Sequence, residues 1–256
     1  MRLVRSAAVI ALAVVAASAV STAARAADAP LTVLCAGAAS VVVERVAHEF
    51  ERTHGRTVVV SEGTVGQLRA RLAAGERADA IVVSAPALEA LTDAGEIVPG
   101  TSAVLGRTGI GVGVRSGTAL PDISTPAALK AALLAAPSIA TMDAAAGSSS
   151  GAYFVGLQQR MGISDALRAK TTLKKTGFSC ELVAAGQADL CVQNISEIIP
   201  VTGVTFVPFP EALQNYITYA IAVPKRSTDP DLARAFIVDL TSPARAPQWK
   251  SAGLQP

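Results

Sequence analysis

The sequence predicts an α/β protein of two lobes with a ligand cleft between them. Three observations carry that prediction. From Leu31 onward, short apolar runs alternate with helical patterns, the mark of parallel strands joined by helical crossovers. Four short Gly/Ser/Thr-rich loops each lead from a strand into a helix: Ala36-Gly37-Ala38-Ala39-Ser40, Ser61-Glu62-Gly63-Thr64-Val65-Gly66, Gly147-Ser148-Ser149-Ser150-Gly151 and Thr176-Gly177-Phe178-Ser179. The chain beyond its leader, about 230 residues, is long enough for one large domain or two lobes.

The elements follow in order. Leu31 to Cys35 is an apolar run and reads as a buried strand. Ser40 to Arg52 reads as a helix, with Val42, Val43, Val46, Ala47 and Phe50 at helical spacing and Glu44, Arg45 and Glu49 opposite. Gly55 stops it. Thr57 to Val60 is β-branched and predicts a strand. Gly66 to Ala74 is a helix ending at Gly75, Ala80 to Ser84 a strand, and Pro86 to Ala94 a helix ending at Gly95. The pattern then changes. Gly109 to Val114 is a strand whose small residues suit a hinge. Thr125 to Ala135 is a helix opened by Pro126 in its first turn. Ser138 to Met142 is a strand, Gly151 to Met161 a helix, Ser179 to Ala185 a short helix and Ala188 to Gln193 a strand. Val204 to Val207 and Tyr216 to Val223 are further strands, and Asp231 to Leu240 is a late amphipathic helix. Residues 27–105 with 224–256 are expected to form the first lobe and residues 106–223 the second. The late helix is expected to pack back on the first lobe. In such sheets ligands bind at the carboxyl ends of the strands, here a closable cleft.

Residues 1–26 read as a cleaved export signal: basic Arg2 and Arg5, an apolar run from Ala7 to about Val20, then Ala24-Arg25-Ala26. The run is shorter than the roughly 20 apolar residues a membrane span needs. The expected location is therefore the periplasm. The formal net charge of +2 includes three leader arginines, Arg2, Arg5 and Arg25, and becomes −1 without them. That balance offers no basic stripe for nucleic acid. Aromatic residues make up 4% of the chain, too few for a base- or sugar-stacking surface. His48 and His54 form no H-x-x-H pair, and no C-x-x-C is present, so neither a metal nor a cofactor is expected.

The loops point to a small anion as ligand. A helix N-terminus presents unpaired N–H groups and partial positive charge, and small residues let an anion approach the backbone. Ala38, Ala39 and Ser40 offer such a start, with a hydroxyl, or an ordinary cap. Glu62 precedes Thr64 and Val65; it is either a solvated carboxylate or a catalytic one. Ser148, Ser149 and Ser150 are the densest hydroxyl cluster, with Tyr153 one turn on. Gln193, Asn194 and Glu197 follow a strand end, where amides suit carboxylate recognition or loop capping. Asp143 is either a base or a turn residue. Cys180 and Cys191 lie on a helix and a returning strand and are candidates for a disulfide, if their Cα atoms come within about 7 Å. Cys35 would then be the odd thiol, a small buried hydrophobe.

The order of motifs resembles the periplasmic molybdate-binding protein family. The residues that carry the resemblance are Val33-Leu34-Cys35-Ala36-Gly37-Ala38 with Phe50 downstream, Gly66-Gln67-Leu68, Gly75-Glu76-Arg77-Ala78-Asp79 running on to Ala85, Gly151-Ala152-Tyr153, Gly186-Gln187-Ala188-Asp189, and Ala235 to Pro243. The resemblance implies the type 2 periplasmic binding protein fold and a monomer that delivers a small anion to the membrane subunits of an ABC importer. It also implies two serine hydroxyls and a tyrosine around the oxyanion. Ala38, Val65 and Asn194 stand at those positions, so an organic carboxylate is expected rather than molybdate. Pro121 to Thr125, Ser148 to Tyr153, Gln193 to Ile198 and Pro200 to Phe206 are similar to the branch that includes aconitate isomerase. That likeness implies, as the alternative, a proton shift on an unsaturated tricarboxylate. Its base would come from Glu62, Asp143, Tyr153 or Glu197, with Glu62 and Tyr153 the first choices.

Overall fold

The computed structural model describes residues 29–255. The expected leader, residues 1–26, lies outside the described residues. The chain forms two five-stranded sheets, each with its own apolar core. The first sheet is built from β1 (Leu31–Ala36), β2 (Val58–Gly63), β3 (Ala80–Ser84), β4 (Ala103–Thr108) and β10 (Ile217–Ala222), in the order β2-β1-β3-β10-β4. The second holds β5 (Ile110–Arg115), β6 (Ile139–Met142), β7 (Thr171–Lys174), β8 (Leu190–Asn194) and β9 (Val204–Pro208), in the order β7-β6-β8-β5-β9.

In the first sheet β1 runs parallel to β2 and β3, as the strand-helix rhythm predicts. The crossovers are α1 (Gly37–His54) and α2 (Val65–Ala73), and α3 (Ala85–Asp93) follows β3. Val42, Val43, Val46, Ala47 and Phe50 are the buried stripe of α1. Its C-cap is Gly55 at φ 65°, a left-handed conformation that a Cβ would strain. α2 opens on a capping box: Thr64 Oγ1 accepts from Gln67 N, and the Gln67 side chain accepts from Thr64 N.

Strand β10 marks a difference from the sequence expectation. The pattern groups Tyr216 to Val223 with the second unit, but β10 hydrogen-bonds antiparallel to β3 and β4 in the first sheet. Local pattern reports that a segment is a strand, not which sheet it joins. Strands β4 and β7, absent from the pattern reading, occupy sheet edges. Small and polar residues cut their apolar runs short: Gly106, Arg107 and Thr108 in β4, and Thr171, Thr172 and Lys174 in β7.

In the second sheet β5 is antiparallel to β8 and β9, and β6 is parallel to β7 and β8. Helices α4 (Pro126–Ala135), α5 (Ser149–Met161) and the short α6 (Ser164–Arg168) cover it. Cys180 and Cys191 form a disulfide with Cα atoms 5.2 Å apart, joining the start of α7 (Glu181–Ala184) to β8. Gly113 on β5 leaves room for it, since a Cβ there would lie 2.6 Å from Cys191 Sγ.

Helix α9 (Pro230–Leu240) returns to the first lobe, where Phe236 meets Phe50 edge-on at 5.2 Å. The closing α10 (Ala246–Ser251) buries Trp249, whose indole N–H donates to Leu240 O at 2.9 Å. Asp79, before β3, secures this return. Its carboxylate accepts from Thr32 N and Oγ1, Ser227 Oγ, Thr228 N and Oγ1, and Asp229 N. Burial pushes the Asp79 carboxyl up, but these donors outweigh it and hold it below its ordinary value. An Asp79→Ala variant is expected to lose about 3 kcal/mol at neutral pH in urea unfolding, because several part-buried donors lose their shared, buried acceptor. A depressed carboxyl stabilises above its unfolded value of 3.8 and loses that contribution as pH falls through its folded value. The gap between wild type and variant should therefore close in acid.

Candidate functional site

The carboxyl ends of β1, β2 and β6 and the end of β8 face one another across the lobes. They enclose a cavity of about 180 Å³ lined by Ala36, Gly37, Glu62, Gly63, Thr64, Val65, Met142, Ser148, Ser149, Thr176, Gly177, Phe178, Asn194, Glu197 and Tyr219. Ligand pockets for drug-sized molecules run roughly 300–1,000 Å³, so this one suits a small ligand. Helices α1, α2 and α5 start at its wall, at Gly37, Val65 and Ser149. Their N–H groups and dipoles supply positive potential. Among the described residues, no lysine or arginine lines the cavity; its charged side chains are Glu62 and Glu197.

The lobes touch at the mouth. Gly66 N donates to Gly147 O at 3.1 Å, Thr64 Oγ1 donates to Ala146 O, and Gln67 Nε2 donates to Lys175 O at 3.2 Å. A Cβ on Gly66 would lie 2.6 Å from Gly147 Cα, so two glycine backbones make the closure. Deeper in, Asn194 Nδ2 donates to the Tyr219 hydroxyl at 3.1 Å, joining β8 of one lobe to β10 of the other. Burial, then the nearby Glu197, push the Tyr219 hydroxyl well above its ordinary value, so it stays protonated.

Glu197 is the unusual group. It sits in the first turn of the one-turn helix α8 (Ile195–Ile198), and its Oε2 is buried with no hydrogen-bond partner. Desolvation pushes its carboxyl up to about 7, against the polar amides of Gln193 and Asn194 and with help from the charge of Glu62. Gly37 makes the room, since a Cβ there would stand 3.0 Å from Glu197 Oε1. Two more buried atoms close by in the chain lack partners: Gln193 Nε2 and Asn194 Oδ1.

The structure sorts the sequence candidates. Glu62, Thr64, Val65, Ser148, Ser149 and Asn194 line the cavity. Ala38 and Ala39 are buried in the first turn of α1, behind the lining residues Ala36 and Gly37. The Ser40 hydroxyl turns back to Gly37 O at 3.0 Å. Ser150 is buried and pairs with Ser148 Oγ at 3.2 Å; Ser148 also caps α5 through Gly151 N. Gln193 lies below the cavity floor, where its Oε1 accepts from Ser179 N and Oγ, both at 2.7 Å. Tyr153 is not at the wall: its hydroxyl donates to Leu213 O at 2.5 Å, and its ring lies under the Arg160 guanidinium. Asp143 caps a turn by accepting from Ala145 N. Cys35 is a buried free thiol, held protonated first by burial and then by Glu62 and Glu44. Tyr219, Met142 and the Thr176–Phe178 loop complete the wall. Nothing in the local sequence marks Tyr219, because the cleft reaches it only through β10's place in the first sheet.

Among the described residues, no group of three or more His, Cys, Asp and Glu gathers to hold a metal ion, and no helix is long and apolar enough to cross a membrane. Two lobes closing over a cavity ringed by helix N-termini define a solute-binding architecture. Residues 31–255 match the bacterial extracellular solute-binding protein family, and the chain belongs to it. It is 31% identical over 233 residues to the aconitate isomerase of a Pseudomonas species, covering 88% of this chain and 87% of that one. Among solved structures it resembles the periplasmic molybdate-binding protein of Azotobacter vinelandii (TM-score 0.75, 20% identity, 88% of this chain and 99% of that one). It also resembles a sulfate-binding protein of Mycobacterium tuberculosis (TM-score 0.68, 20% identity, 89% and 87%). These two likenesses show the shared fold.

Proposed function

We propose that this protein is exported, acts as a monomer, closes on a small organic polycarboxylate of the aconitate class and moves a proton along it. The half-buried carboxyl of Glu197 at the cavity wall, its Oε2 sealed and without a partner, carries this reading. An ionised carboxylate beside a bound anion repels it, so the group must hold a proton when the ligand sits there. A carboxyl poised near neutrality suits proton transfer, since a catalytic group works best with its pKa near the working pH. The full-length likeness to an aconitate isomerase supports the same reading.

The chemistry needs one base and one acid. A C–H bond breaks at the ligand's methylene carbon and its electron pair forms the new C=C bond. The old C=C pair forms a C–H bond at the far carbon, so the atoms balance without a co-reactant. Glu62, at the exposed side of the cavity, takes the first proton as carboxylate, and neutral Glu197 gives the second. The unpaired N–H groups at the starts of α1, α2 and α5 and the hydroxyls of Ser149 and Tyr219 hold the ligand's carboxylates and the negative charge that develops.

A second reading follows from family membership: the same cleft captures a carboxylate for an ABC importer and turns nothing over. The two part in one assay. Purified protein is incubated with pure cis- or trans-aconitate, and the vinyl protons are followed by NMR. Convergence of both samples on one ratio, faster than in a protein-free control, is the expected result. Ratios that drift no faster than the control reject turnover; a carboxylate that still raises the melting temperature then supports capture.

A further inference from the structure

We propose that the cleft takes its carboxylate together with a proton, which Glu197 holds in the closed complex. This rests on reading the cavity as a carboxylate site. The charges and hydrogen-bonding capacities of the wall carry it. An anion entering this cavity meets helix N-termini and hydroxyls but no cationic side chain, and it comes to rest beside two carboxyls. Glu62 stays in reach of solvent. Glu197 is half-buried, and its Oε2 is sealed and without a donor. An ionised carboxyl only accepts, whereas a protonated one also donates. Neutral Glu197 removes the repulsion and adds a donor toward a ligand oxygen or the partnerless Asn194 Oδ1.

Among the described residues, no cationic side chain offers another route to neutrality. From α1, Glu44, Arg45 and His48 are the charged or titratable groups on this side. Glu44 is itself pushed up, by burial first and then by Glu62, with His48 opposing. Arg45 lines a separate cavity beside Ser196. From β1 comes the Cys35 thiol, from β2 Glu62 and from β10 the protonated Tyr219 hydroxyl. Lys174, at the end of β7, is engaged by Glu181 and by Phe178 O. Burial already raises the Glu197 carboxyl, and a ligand carboxylate beside it adds a further charge of the same sign.

Isothermal titration calorimetry tests this on the whole protein. Tricarballylate, a saturated tricarboxylate that has no double bond to shift, is titrated alongside citrate and succinate. Two buffers of different ionisation enthalpy at a pH of about 7.8 then report proton exchange. The expected result is uptake of about one proton per ligand bound, with affinity weakening roughly tenfold per pH unit above that point. Glu197→Gln, neutral at every pH, is expected to bind with no proton exchange. Wild-type binding without proton uptake overturns the proposal and leaves the carboxylate reading standing. Uptake that persists in Glu197→Gln moves the proton to another group and also overturns it. If none of the three acids binds, the carboxylate reading falls and this proposal with it. Should that variant fail to fold, Glu197→Asp is titrated instead: a shifted pH midpoint of proton uptake is expected, and an unshifted one overturns the assignment.

Discussion

In the Glu197→Gln variant, interconversion of cis- and trans-aconitate is expected to fall by roughly 10²–10⁴-fold, the usual loss when a general acid or base is removed. Glutamine keeps the size and neutrality of the protonated side chain, so tricarboxylate binding should survive while turnover does not. NMR progress curves and a binding isotherm on the same sample separate the two. In the wild type the acid role predicts a kcat/KM that declines as pH rises through about 7, where Glu197 of the ligand-free protein loses its proton. The sign for stability is the same. A carboxyl raised in the folded state stabilises fully below its unfolded value of 4.5 and loses that contribution as pH rises through about 7. The closed protein should weaken between those limits in urea unfolding, and Glu197→Gln should flatten the slope. A variant that isomerises like the wild type would remove Glu197 from the chemistry.

The second large effect concerns closure. Gly66→Ala is expected to weaken carboxylate binding by roughly 10–100-fold, about 1.4–2.8 kcal/mol, while the melting temperature of the ligand-free protein holds. Gly66 lies in the first turn of α2, and its backbone angles place no bar on alanine. The added methyl meets only the opposite lobe, where it would stand 2.6 Å from Gly147 Cα and end the Gly66 N to Gly147 O hydrogen bond. The open protein has no such contact to lose. Gly156→Ala is the control: its methyl would meet only the Arg160 guanidinium, at 3.3 Å. Calorimetry reads the affinities, and small-angle scattering with saturating ligand reads whether the lobes close. Wild-type affinity in Gly66→Ala would show that the bound state does not use this contact.

Much of the first lobe is legible in the sequence because its physics is local. The apolar strands β1 and β3 and the stripe of α1 announce themselves by period, and Gly55 by its position after the helix. Three of the four small-residue loops supply cavity walls at helix starts. The fourth, Thr176 to Phe178, reaches the wall as a loop before the Cys180–Cys191 disulfide. Side-chain direction is what the sequence does not carry. Ser40 and Ser148 look alike on paper, yet one hydroxyl turns back to its own helix and the other caps a helix at the wall. By sequence Tyr153 stands one turn beyond the serine cluster and is a candidate base, but its hydroxyl is held by Leu213 O, on a segment 60 residues away. Glu197 is one of four carboxyl or phenol candidates by sequence. Only the packing of α8 against α1 strips it of water, and Gly37 makes the space.

The chain passes between the lobes twice, at Gly109 and again between β9 and β10, and one side chain links the passages. Gln214 Oε1 accepts from Ile110 N at 2.6 Å, and its Nε2 donates to Ile110 O at 3.0 Å. A single amide thus does for the two crossings what a pair of residues does in a sheet. Joined in this way, the crossings bend together and resist sliding past each other. That matters for alignment. Gly66 and Gly147 meet backbone to backbone, with less than a methyl group of clearance, at the far edge of the swing. A hinge free to slip would scatter such a landing; a braced one brings the two glycines back to the same place on every stroke.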